Sequence, residues 1–95
     1  DEARAAEDEL SAGRLGPAVI AIERLVAALL AEAARRAAAP SADPALLASW
    51  LGVAASRWLA FRGAVGRARG GAPLAPRDAW VGLSIAIDLA LTLEL

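Results

Sequence analysis

The sequence predicts an all-α protein: a small antiparallel helical bundle, with three long helices and a short N-terminal one in a single domain over 1–95. Three observations predict it. Twenty-seven alanines, fifteen leucines and ten arginines dominate the chain, and these are among the strongest helix formers. Large apolar residues recur at intervals of three and four through the middle of the chain, the spacing of one helical face. Proline, glycine and aspartate fall between those stretches, where helices start and stop. The hydrophobic content of 58% overstates the core, because alanine buries little area, so a thin core is expected from a chain of this length.

Residues 2–12 read as a short helix. Five acids among the first nine residues suit a helix N-terminus, Arg4 and Asp8 form an i,i+4 pair, and Leu10 is the one large apolar anchor. Gly13 is placed to stop it, and Gly16-Pro17 opens the next segment. A second helix is expected over 17–39, where Val19, Ile22, Val26, Leu29, Leu30 and Ala33 share a face and Arg24, Ala27, Ala31 and Arg35 mark the other. The turn Pro40-Ser41-Ala42-Asp43-Pro44 makes Asp43 an N-cap and Pro44 the first helical residue, and its shortness implies antiparallel packing.

The third helix is expected over 44–66. One face carries Leu47, Leu51, Ala54, Trp58, Phe61 and Val65, and nearly opposite runs a stripe of small residues, Ser49, Gly52, Ser56, Ala60 and Gly63. Small residues at that spacing permit close approach of another backbone, or leave room for a ligand. A glycine-rich run to Gly71 and the connector 72–76 follow. In the last segment Val81, Leu83, Ile85, Ile87, Leu89, Leu91, Leu93 and Leu95 alternate as in a strand, which would need a second copy for pairing; Pro76-Arg77-Asp78-Ala79 reads instead as a helix start. A helix over 76–94 is expected, with Ser84, Asp88 and Thr92 as a narrow polar stripe facing solvent.

Composition excludes much chemistry. The chain contains no Cys, His, Lys, Met, Asn, Gln or Tyr, a thirteen-letter alphabet that removes histidine relays, thiolate and Schiff-base nucleophiles and the usual metal ligands. No metal, no cofactor and no enzymatic activity are expected. A net charge of −1 argues against nucleic acid. Mean hydropathy is high at +0.48, but the apolar stretches 15–34, 44–61 and 79–95 are interrupted by Glu23 and Arg24, by Arg57 and by Asp88, which argues against membrane spans. The opening Asp1-Glu2-Ala3-Arg4 does not read as a signal peptide.

What remains for recognition is a short inventory. Arg57 sits mid-helix on the opposite side from Arg62, so partial burial is expected, and a buried guanidinium needs an acceptor such as Glu23 or Asp88. The functional alternative is a clamp for a ligand's carboxylate, carbonyl or phosphate. Trp50, Trp58 and Trp80 offer flat stacking surfaces with one donor each. Ser49 and Ser56 could donate to a ligand or bond back to the preceding turn. Asp88, if held in an apolar setting beside Trp80, could act as a general base.

The reduced alphabet, the regular segment lengths and the Pro and Asp punctuation resemble a computationally designed helical bundle. Over roughly 15–95 the architecture is similar to that of designed drug-binding bundles, with long Ala-rich helices, few aromatics and isolated mid-helix polar residues. The resemblance implies a flat, mostly apolar aromatic ligand in the core between the second, third and last helices, and a monomer or homodimer. The alternatives are a purely structural or self-associating design without a ligand, and a minimal designed enzyme with Asp88 as base.

Overall fold

The strongest amphipathic stretch of the chain becomes the element on which the others pack. In a computed structural model that describes residues 2–38 and 43–94, five helices follow in order: α1 (Glu2–Ser11), α2 (Leu15–Ala37), α3 (Pro44–Trp50), α4 (Ala55–Arg69) and α5 (Pro76–Glu94). No described residue lies in a strand. Along α2, Val19, Ile22, Val26, Leu30 and Ala33 are buried, the three-and-four spacing expected of its inner face. Ala39 and Pro40-Ser41-Ala42 lie outside the described residues, but Asp43 stands at the N-cap of α3 and Pro44 at its first turn.

Helices α1, α4 and α5 all pack on α2, and α5 also packs on α4. The neighbouring residues set the directions. Arg14 meets Glu9 while Glu2 and Ala5 share a hollow with Ala21 and Arg24, so α1 runs against α2. Ala68 lies beside Pro17 and Ile20 while Trp58 lies beside Val26 and Leu30, so α4 also runs against α2. Arg67 meets Asp78 and Arg57 meets Asp88, so α5 runs against α4 and along α2. The Cα trace is only 16 Å across its thinnest dimension; with helix axes about 8–10 Å apart, that allows two layers and leaves each helix one open face.

The single helix expected over 44–66 is two. The break falls at Leu51–Gly52, where Gly52 adopts φ +92°, the Gly52 N–H donates to Ser49 O at 3.0 Å and the Val53 N–H to Ala48 O at 2.9 Å. This pair of bonds closes a helix C-terminus around a glycine in the left-handed region. It lets Leu47 on α3 and Val53 after it both reach the core. The face drawn through Leu47, Leu51, Ala54, Trp58, Phe61 and Val65 is therefore corrected: Leu47, Phe61 and Val65 are buried, Leu51 and Trp58 half-buried, and Ala54 exposed. The small residues Ser49, Gly52, Ser56, Ala60 and Gly63 are all exposed and no longer form one stripe. At Gly13 the expected stop is present, closed by bonds from Arg14 to Glu9 and from Gly13 to Leu10.

The last segment is helical despite its alternating pattern. Pro76 occupies the first turn and the Asp78 carboxylate accepts the Ala75 N–H at 2.7 Å, half of a capping box. Helix α5 buries Ala79, Gly82, Ile85, Ala86 and Leu89. Gly82 is the point of closest approach, because a Cβ there would lie 2.8 Å from Phe61 Cδ1 and 2.9 Å from Ile22 Cγ2. The interior is filled by Ile22, Val26, Phe61, Val65, Ile85 and Leu89, and no described polar or charged residue is buried.

Candidate functional site

The structure disperses the residues that the sequence groups. Trp50 ends α3 and Trp80 lies near the start of α5, and both are exposed rather than in the core. Ser49 and Ser56 are exposed on either side of the α3–α4 break.

Arg57 does find an internal acceptor. Its Nη1 donates to Asp88 Oδ2 at 2.8 Å and its Nη2 to Ser84 Oγ at 2.9 Å, tying α4 to α5. Of the two acids considered for it, Asp88 is the partner and Glu23 is not. Ser84 is half-buried under this contact and bonds back to Val81 O, so of the stripe Ser84, Asp88, Thr92 only Asp88 and Thr92 face solvent. The Asp88 side chain is 55% exposed and paired with a guanidinium; the apolar enclosure that a general base would require is not built around it.

Glu23 lies instead in a groove between α2 and α4, of about 550 Å³. Its floor and wall are Val26, Leu30, Phe61 and Trp58. The Trp58 indole stands edge-on to the Phe61 ring, with centroids 5.7 Å apart and planes at 61°, a favoured aromatic arrangement. Phe61 is fixed from below because it fills the notch left by Gly82. At one end Glu23 accepts from Arg62 Nη1 and Arg69 Nη2, each at 2.6 Å, with only 14% of its own side chain exposed. Each arginine carries five N–H donors in a planar fork and so keeps donors beyond the one that Glu23 takes.

Of the predicted residues, the groove thus unites Glu23 and Trp58 and leaves out Arg57, Asp88, Trp50, Trp80, Ser49 and Ser56. Arg62 and Arg69 are not among the residues that the sequence singled out. Their spacing of seven places both on one face of α4, and Glu23 is an acid set in the apolar run of α2; together those signals pointed to the pair. A second ion pair, Arg67–Asp78 at 2.6 Å, locks the other end of α4 to α5. The Ala75 N–H, helped by Arg67, holds the Asp78 carboxyl below the usual aspartate range.

Among the described residues no helix is long and apolar enough to cross a membrane, and no three acidic side chains converge as a metal site would require. Compared with protein-family models, curated proteins and solved structures, the chain matches none.

Proposed function

We propose that the chain is a binding module for a flat, mostly apolar small molecule bearing an anionic group, seated in the α2–α4 groove rather than in the core. The observation that carries this is an aromatic wall, Trp58 against Phe61, ending in two arginine forks. The volume of about 550 Å³ falls within the range of small-molecule sites. Trp58 supplies the stacking face. Arg62 and Arg69, oriented by Glu23, supply charge-assisted donors for a carboxylate. The thirteen-letter alphabet supports a designed origin, while the exposed Leu46, Leu59, Trp80, Ile87 and Leu91 are what a design for a lone soluble monomer would avoid.

The test uses a variant in which Trp50→Phe and Trp80→Phe leave Trp58 as the one fluorophore. Both replaced residues are exposed, so the fold is retained. Titration with 2-naphthoate is expected to give a saturable change in Trp58 emission. Arg62→Leu with Arg69→Leu is expected to weaken binding by about tenfold or more, the worth of a charge-assisted hydrogen bond, and 2-methylnaphthalene to bind correspondingly less well. If neither naphthoate nor a panel of aromatic carboxylates and sulfonates changes Trp58 emission up to its solubility limit, the reading is wrong.

A further inference from the structure

Beside the solvent-facing Asp88 and Thr92, α5 exposes an apolar stripe where a polar face is expected. Trp80, Ile87 and Leu91 lie within one narrow stripe, spaced seven and four residues apart, directly opposite the buried face of Ala79, Gly82, Ile85 and Leu89. They are 60%, 50% and 54% exposed. Ser84 lies on the same stripe, half-buried. From Trp80 to Leu91 the stripe runs about 17 Å along the helix. Its three large side chains leave about 300 Å² of apolar surface in water, which is the size of an entire patch on an ordinary monomer.

We infer that this face is a homodimer interface, in which α5 packs antiparallel against α5 of a second copy about a two-fold axis passing between Ile85 and Ala86. The pattern is self-complementary in that register. Trp80 meets the partner's Leu91, and Ile87 meets the partner's Ser84, whose hydroxyl already bonds to Arg57 and to Val81 O. At both ends the exposed Arg77 meets the partner's Glu94, giving two ion pairs related by the axis. Parallel packing would instead oppose Arg77 to the partner's Arg77 and Glu94 to the partner's Glu94, so charge selects the antiparallel arrangement. An isologous contact of this kind closes at two copies.

The flanks, half-buried Leu83 and Ala90, add at most about 100 Å², which brings the apolar surface buried to about 400 Å² per protomer, half of the roughly 800 Å² of a standard stable interface. The dimer is therefore one that dissociates in the micromolar range, not an obligate one. The α2–α4 groove contains no residue of α5, so dimerisation and ligand binding are separable.

Sedimentation equilibrium of the intact chain, from about 1 to several hundred micromolar, is expected to show a monomer–dimer equilibrium. Trp80 emission should shift to the blue as the dimer forms. Ile87→Glu replaces an exposed side chain, so helical content by circular dichroism should be kept while dimerisation falls at least tenfold. Arg77→Glu and Glu94→Arg should each weaken the dimer severalfold, and their combination should restore it. A chain that stays monomeric throughout, which would leave the face to a different protein, overturns the inference. So does a dimer indifferent to Ile87→Glu, and a dimer lost with Ile87→Glu but not rescued by the charge exchange overturns the antiparallel register.

Discussion

Replacing Gly82 by alanine tests the packing that holds the whole arrangement together. In an ordinary helix the change would be favourable by up to about 1 kcal/mol, because alanine loses less backbone freedom and is the better helix former. Here the new methyl group would sit 2.8 Å from Phe61 Cδ1 and Cε1 and 2.9 Å from Ile22 Cγ2, against a comfortable separation of about 3.5–4.0 Å. Neither neighbour can retreat easily, since Phe61 is 1% and Ile22 0% exposed and the Phe61 ring also packs against Trp58. Overpacking of that kind costs about 1–3 kcal/mol, so the propensity gain is outweighed and a net loss of about 1–2 kcal/mol is expected. For a domain of this size each kcal/mol lowers Tm by about 4–8 °C. The matched control is Gly66→Ala on α4, where nothing lies within 4 Å of the added Cβ and stability should rise by up to about 1 kcal/mol. Urea unfolding followed by circular dichroism, with unchanged m-values, reads both. A Gly82→Ala variant as stable as the wild type, or as the Gly66→Ala control, would refute the claim that α5 is held against Phe61 and Ile22 by the missing side chain.

Two further outcomes follow from the backbone and from charge. Gly52→Ala places a side chain at φ +92°, a region that costs an L-residue about 1–2 kcal/mol; the variant should lose that much stability with unchanged helicity, whereas a gain in both would mean that 44–69 prefers to be one continuous helix. Asp78→Ala removes the carboxylate that accepts the Ala75 N–H and should cost about 1 kcal/mol near neutral pH. Because the folded-state pKa of Asp78 is depressed, its contribution is complete above the unfolded value of about 3.9 and is lost as pH falls through the lower folded one. The gap between variant and wild type in urea melts should therefore close as pH falls below about 4, and a gap that persists unchanged in acid would show that the carboxylate's charge is not what stabilises the α5 start.

Helix, as a class, was legible because it is written in local terms. Propensity and a three-and-four apolar spacing marked α2, and a glycine after the last periodic residue marked the end of α1 at Gly13. The same local logic misjudged Gly52. Counted as one small residue among Ser49, Ser56, Ala60 and Gly63, it fitted a continuous helix; in the fold it is the left-handed residue that ends α3. A glycine is compatible with both states, and only the gain from burying Leu47 and Val53 together decides between them. Alternation in 81–95 misleads for a related reason. Large residues at every second position put apolar surface on all sides of a helix, so some must remain outside, and Ile87 and Leu91 do.

The candidate site divides along the same line. Its components were visible: an acid set in an apolar run, Glu23, and an indole on an apolar face, Trp58. Their company was not. Arg57 and Arg62 are equally plausible partners for Glu23 when only helical phase is known, because phase fixes which way a side chain leaves its own helix but not which helix it meets. That depends on how far α4 slides along α2 and α5, and the slide is set by Phe61 dropping into the gap at Gly82. By itself the sequence determined that the chain is helical, which segments carry apolar faces, and which chemistries its alphabet forbids, since each of these is a property of residues within a turn or two of one another. Tertiary structure decided that Arg57 goes to Asp88 while Arg62 and Arg69 share Glu23, because pairings between residues 31 to 46 positions apart depend on interhelical register, which core packing fixes and local sequence does not encode.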